Sequence, residues 1–145
     1  MKIGDLEVHV LQDGTSEIPG HFYGDHGGDH GDEIGPDGVM RLPIAAFLVR
    51  TAGKTVLLDA GLGTANFDFL TKNGDRTVLT GGELPGRLAA LGVRPEDVDY
   101  VIPTHLHSDH SGWVIHEHRR FFPNATIRFG AGDWDEQVLN ENTPG

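Results

Sequence analysis

A chain of 145 residues with a formal net charge of −11 and no cysteine suits one domain and excludes several chemistries at once. Without cysteine there is no disulfide scaffold, Cys-based zinc finger, iron–sulfur cluster or cysteine nucleophile, and the acidic balance repels phosphate backbones, so nucleic acid is not expected as a partner. A hydrophobic fraction of 37% with 21 glycines implies much loop around a core, and a chain of this length buries about 70% of its unfolded surface if compact. No apolar run approaches the roughly 18 residues of a membrane span. The start, Met-Lys-Ile-Gly-Asp-Leu-Glu-Val, carries acids where a signal peptide needs an apolar centre. The chain is read as soluble and cytoplasmic, with no membrane partner.

Residues 6–11 partly alternate in polarity and predict a first strand, with His9 on its solvated face. Residues 20–38 are rich in Gly, Asp and His. Glycine raises the cost of ordering and little here can be buried, so a long mobile loop is expected. His21, His26 and His30 are read as part of that loop rather than as ligands. Residues 43–50 and 54–59 predict two strands joined by a turn with Gly53 near its tip. The continuous apolar run 44–49 is expected to be buried on both faces. Residues 66–71 are read as a short helix. Leu84, Leu88 and Leu91 fall on one helical face, with Pro85 in the first turn and Gly92 just past the end, so they predict a helix packed on a sheet. Residues 97–102 predict a strand that Pro103 terminates. A further strand at 126–129 and a helix at 132–140 follow, with Trp134 and Val138 as buried anchors. His116 and His118 could chelate only on an extended segment and are read as surface residues.

The strand at 97–102 delivers the most informative segment, Thr104-His-Leu-His-Ser-Asp-His110. Imidazole and carboxylate are ligands for zinc and similar divalent ions. Four such ligands within six positions do not easily reach one tetrahedral ion. They can serve two if His105 and His107 face one and Asp109 and His110 the other, and two ions about 3.5–4 Å apart form a clamp for hydrolysis. The site lies at the C-terminal edge of a strand, where α/β proteins place their chemistry. Asp59, at the end of the 54–59 strand, is placed to orient a ligating imidazole as a hydrogen-bond acceptor, or to cap its own loop.

The pattern H-x-H-x-D-H at a strand end, followed by Gly112, resembles the signature of the metallo-β-lactamase fold superfamily. Residues 47–61 look like that superfamily's strand pair, ending in Asp59-Ala-Gly61. Residues 41–140 look like a lactonase or organophosphate-hydrolase branch, with His110-Ser-Gly-Trp113 and Phe122-Pro-Asn-Ala125 as the suggestive pieces. In proteins of this resemblance a loop like 20–38 often lies near the site mouth, which would bring Phe22 and Tyr23 to substrate. The resemblance implies an α+β fold, the metallo-β-lactamase-like αβ/βα sandwich, of which 1–145 is the N-terminal half, a sheet plus flanking helices within one domain. It implies hydrolysis of an ester, lactone, amide or phosphoester by metal-activated hydroxide. His105 and His107 would hold a first ion, and Asp109 and His110 a second. Asp109 would also orient the nucleophile, Asp59 would support the shell around the ions, and a small-molecule, lactone-like substrate is preferred. Two zinc ions are the expected cofactors, with manganese, iron or cobalt as alternatives.

Complete members of that superfamily carry a later His, an Asp that bridges both ions and a last His. After His118 no histidine remains. The expectation is an incomplete site and a sheet with one uncovered apolar face, completed by an oligomer or by a complementing C-terminal half. The alternative is a non-catalytic metal-binding or interaction fragment from a truncated or split gene.

Overall fold

Two long strands set the frame of the computed structural model, which describes residues 1–22 and 33–139. Strand β2 (Leu6–Pro19) and strand β3 (Val39–Thr51) pair antiparallel from Glu7 opposite Arg50 to Pro19 opposite Val39. Strand β1 (Lys2–Ile3) adds to the start of β2. The turn after β3 has left-handed backbone at Ala52 and Gly53 (φ 45° and 72°), the two-residue geometry whose twist suits a hairpin. It leads into strand β4 (Lys54–Leu58). Strands β5 (Asn66–Leu70) and β6 (Arg76–Thr80) form a second hairpin that lies along the C-terminal half of β2. Helix α1 (Leu84–Ala90) and a 3-10 turn (Pro95–Asp97) carry the chain over to strand β7 (Tyr100–Ile102), parallel to β4.

Beyond β7 come helix α2 (Ser108–Ser111), the small hairpin of β8 (Ile115–His116) and β9 (Arg119–Arg120), and strand β10 (Thr126–Ile127) parallel to β7. Helix α3 (Ala131–Trp134) continues into a π-helical turn, Asp135–Leu139. Among the described residues the main sheet runs β10–β7–β4–β3–β2–β6–β5, with β1 on β2. This mixed sheet with few, short helices is the fold class that the sequence implies. No helix among the described residues is long and apolar enough to cross a membrane.

The core lies on one face of the sheet. Leu11, Ala46, Leu48, Leu57 and Val101 meet Leu84 and Leu88 of α1, with Val98, Trp113, Phe122 and Ala125 around them. Each fully buried aliphatic of this kind contributes about 1.5–3 kcal/mol. Gly92 closes α1 with left-handed backbone (φ 67°), while Gly92 N donates to Ala89 O and Val93 N to Leu88 O. That pair of bonds satisfies the last carbonyls of the helix.

Among the described residues nothing buries the other face fully, so the run 44–49 is not buried on both sides. Ile44, Ala46 and Leu48 are buried, whereas Phe47 is 40% exposed. Pairing aligns Val10, Phe47, Leu58 and Ile102 in one row across four strands, and Val8, Val49, Val56 and Tyr100 in the next. Val10 and Phe47 are exposed and the other six half-buried.

Three further sequence expectations need correction. The stretch read as a helix at 66–71 is strand β5, because Phe67 and Phe69 alternate with Asn66 and Asp68 and pair with Leu79 and Thr77 of β6. The strand expected at 97–102 is shorter, since Asp97 closes a 3-10 turn in which it accepts from Arg94 N at 2.9 Å. Trp134 and Val138 are exposed rather than buried anchors, and Trp134 stacks on Phe129 at 5.4 Å. Most of the loop expected to be mobile, with Tyr23, His26 and His30, lies outside the described residues. At its edges Gly20 N donates to Gly38 O, and His21 Nε2 stands 3.2 Å from Asp75 Oδ2.

Candidate metal centre

Strand β7 stops at Ile102, and residues 103–107 swing over the sheet edge into α2. The loop after β4 meets them and is stitched to them by backbone bonds. Ala60 N donates to His110 O at 2.7 Å, Gly112 N to Gly61 O at 2.7 Å, and Trp113 N to Ala60 O at 2.9 Å. Two glycines are required by this contact. A Cβ at Gly112 would overlap the Leu62 carbonyl, and Gly61 has φ 54° with its missing Cβ directed at the Asp13 carboxylate. The glycines of the Asp-x-Gly and of the motif therefore have a packing reason.

Beneath both loops sits Asp13, a residue the sequence reading passed over. The pairing of β2 with β3 slips between Gln12 and Gly14, and such a bulge re-aims a side chain. Asp13 is completely buried. Its Oδ1 accepts from Gly82 N, Leu84 N and Trp113 Nε1 at 3.2, 2.8 and 2.8 Å, and its Oδ2 from Leu62 N and Gly63 N at 2.7 and 3.2 Å. One carboxylate thus ties together the β4–β5 loop, the start of α1 and Trp113, two residues beyond α2. The Asp13-Gly14 pair inside a strand was the available signal, since an isolated glycine in a strand marks a bulge.

On this platform the motif side chains draw together. His105 Nε2 and His107 Nδ1 are 3.0 Å apart. His110 Nε2 and Asp109 Oδ2 are 3.4 Å apart. The rings of His105 and His110 lie 4.1 Å centroid to centroid. Zinc–nitrogen bonds of about 2.0–2.1 Å in a tetrahedron put neighbouring donors roughly 3.3–3.4 Å apart. Both donor pairs have that spacing to within a few tenths of an ångström. No set of three His, Asp or Glu side chains among the described residues is arranged to hold an ion, so each pair would supply at most two of the four ligands that a tetrahedral ion takes. Donor type and spacing fit divalent ions, and donor number is short.

Asp59 stands behind the motif. It is buried, with left-handed backbone (φ 59°). Its Oδ1 accepts from Thr104 N at 2.7 Å, and its Oδ2 lies 3.0 Å from His110 Nδ1. Asp59 therefore meets both the backbone of the motif loop at Thr104 and an imidazole. Burial lowers the His105 pKa from its ordinary 6.5, aided by the charges of His110 and His107 and opposed by Asp109 and Asp59.

The other described histidines stay apart from this cluster. His9 pairs with Glu7 at 2.6 Å. His116 packs its ring on Trp113 at 5.0 Å and on Phe121 at 6.0 Å. His118 occupies a tight turn at φ 62°.

Comparison with known proteins bears on the family. The family model of the metallo-β-lactamase superfamily matches residues 39–127, more than half of the chain. An N-acyl homoserine lactonase, AiiB of Agrobacterium fabrum (strain C58 / ATCC 33970), is 31% identical over 109 residues, covering 66% of this chain and 40% of that protein. The N-acyl homoserine lactonase AttM of Rhizobium radiobacter is 26% identical over 135 residues, covering 84% of this chain and 44% of AttM. Among solved structures, a probable metal-dependent hydrolase from Staphylococcus aureus superposes with a TM-score of 0.77 at 25% identity, covering 97% of this chain and 52% of its own. AidC, a dizinc quorum-quenching lactonase in complex with a product, gives 0.73 at 26% identity, covering 93% and 45%. The chain spans about half or less of the length of these proteins. With the family model, the motif and the sheet in agreement, the chain belongs to the metallo-β-lactamase superfamily.

Proposed function

We propose that the chain is the N-terminal part of a metal-dependent hydrolase that cleaves esters, lactones or phosphoesters, with lactones preferred. The observation that supports this most is the pair of donor pairs, His105 with His107 and His110 with Asp109, at ligand spacing on one strand end. The relatives named as lactonases favour the lactone. Two divalent ions are proposed, zinc first, with manganese, iron or cobalt as alternatives. His105 and His107 would hold one ion, Asp109 and His110 the other. Ions held there supply Lewis acidity and a nucleophile at neutral pH. The chain's own groups position the reaction. Asp59 fixes the His110 ring from behind. The carboxylate of Asp109 accepts a hydrogen from the attacking water and so aims its lone pair at the carbonyl or phosphoryl centre.

The open sheet face supports a partner of a particular kind. Two apolar rows across β2, β3, β4 and β7 suit a second sheet packed face to face about 10 Å away. We assign that place to the complementing half of the same fold, which would also bring the remaining ligands. A second copy of the chain is the other occupant to test.

One experiment addresses the activity. The purified chain, with added zinc or manganese, is assayed against γ-lactones and generic esters, beside His107→Ala. Metal-dependent turnover that His107→Ala abolishes supports the hydrolase. Metal binding at the motif without turnover favours the second reading, a non-catalytic metal-binding or interaction fragment, which the donor number supports.

A further inference from the structure

Thr104 immediately precedes His105, the first histidine of the motif. Its hydroxyl is placed where four polar atoms meet. Oγ1 lies 3.0 and 3.2 Å from the two oxygens of Asp59, 3.2 Å from His105 Nδ1 and 3.3 Å from His110 Nδ1. One hydroxyl carries one hydrogen and two lone pairs. The carboxylate can only accept, so the Thr104 hydrogen goes to Asp59. The lone pairs then face the two imidazoles, and each imidazole must present Nδ1–H to them. The same proton placement follows for His110 from Asp59 Oδ2 at 3.0 Å from its Nδ1. A neutral imidazole with Nδ1–H has its lone pair on Nε2. Those Nε2 atoms are the ones that face His107 Nδ1 and Asp109 Oδ2.

We propose that Thr104 is a positioning residue whose single hydroxyl, oriented by Asp59, sets the tautomer of His105 and supports that of His110, so that both rings offer Nε2 to the metal side. The inference deepens the metal-centre reading and rests on it for what the two rings then do. The proton placement stands by itself and can be read without any metal. It also links the two donor pairs, since one hydroxyl touches a ligand from each. His110 has a second acceptor in Asp59, whereas among the described residues the acceptor that meets His105 Nδ1 is Thr104. His105 should therefore depend on Thr104 more than His110 does.

The test uses the full chain as wild type, Thr104→Val and Thr104→Ser. Valine keeps the shape and removes the hydroxyl, and the backbone bond from residue 104 to Asp59 does not need the side chain. Thr104→Ala replaces it if the valine variant fails to fold by circular dichroism. Histidine ring nitrogens are read by long-range ¹⁵N–¹H correlation on metal-free protein at about pH 8, where imidazoles are neutral. The wild type and Thr104→Ser should show Nδ1–H at both His105 and His110. Thr104→Val should move His105 toward the Nε2–H form, with a smaller change at His110. Zinc affinity, from competition with a chelator, should fall about 10-fold or more in Thr104→Val, within the range for groups that orient metal ligands, and stay within about threefold in Thr104→Ser. An unchanged His105 tautomer in Thr104→Val, or a serine variant as impaired as the valine one, would overturn the inference. Tautomers that move as expected in a chain that binds no zinc would support the inference and reject the metal reading alone.

Discussion

Asp13 and Asp59 are both buried carboxylates beside the motif, and their surroundings separate their roles. Asp13 accepts five N–H groups, four from the backbone and one from the Trp113 indole, whereas Asp59 meets an imidazole. In Asp13→Asn, either orientation of the amide sets its NH₂ against at least two N–H donors. The expected cost is about 2–4 kcal/mol, from donors left without an acceptor, and a urea midpoint measurement checks it. Asp59 was legible in the sequence because a strand-end Asp-x-Gly marks its place. Asp13 was not, because the Asp13-Gly14 pair signals a bulge but nothing local says which groups its carboxylate will meet. The partners that make it a hub lie 49 to 100 residues away. His105 gives a pH expectation. Its folded-state pKa is lowered from 6.5, so in the window between the two values the unfolded chain binds more protons. Its contribution to stability is complete above the unfolded value and is lost as pH falls through its own midpoint. Ring-proton NMR should place that midpoint below 6.5, and a midpoint at or above 6.5 would remove this contribution.

At the scale of elements, the β8–β9 hairpin holds the clearest local conflict. His116 pairs with Arg119, leaving Glu117 and His118 as a two-residue turn with φ 48° and 62°. This turn favours Asn-Gly, and a glutamate there is strained. The double change Glu117→Asn with His118→Gly should stabilise the chain by about 1 kcal/mol, read as a higher urea midpoint. The sequence offered no turn residues at this point, so the hairpin could not be foreseen. It did offer Leu84, Leu88, Pro85 and Gly92, and α1 lies there with the expected buried face. Strand β5 was misread because the alternation of Phe67 and Phe69 with Asn66 and Asp68 is only four residues long, and all five residues of the strand are exposed. Pairing with β6 decides its form.

For the whole molecule, the sheet face bearing Val10 and Phe47 is where association is expected. An apolar surface of two rows across four strands invites association. The wild-type chain should show concentration-dependent association by light scattering. Phe47→Lys should reduce it while leaving the far-ultraviolet circular dichroism unchanged, since Phe47 is already 40% exposed. Equal association in both would place the contact elsewhere. The apolar run 44–49 was legible as a strand, but which of its faces would be covered was not, because covering depends on what packs there.

If the strand-end loop presents two metal-ligand pairs, the histidine ring nitrogens will report it in a zinc titration followed on their ¹⁵N resonances. The metal-induced change is expected at Nε2 of His105, Nδ1 of His107 and Nε2 of His110, while His9 and His116 keep their metal-free values. Saturating zinc that leaves those three nitrogens unmoved, or that shifts His9 or His116 instead, would contradict it.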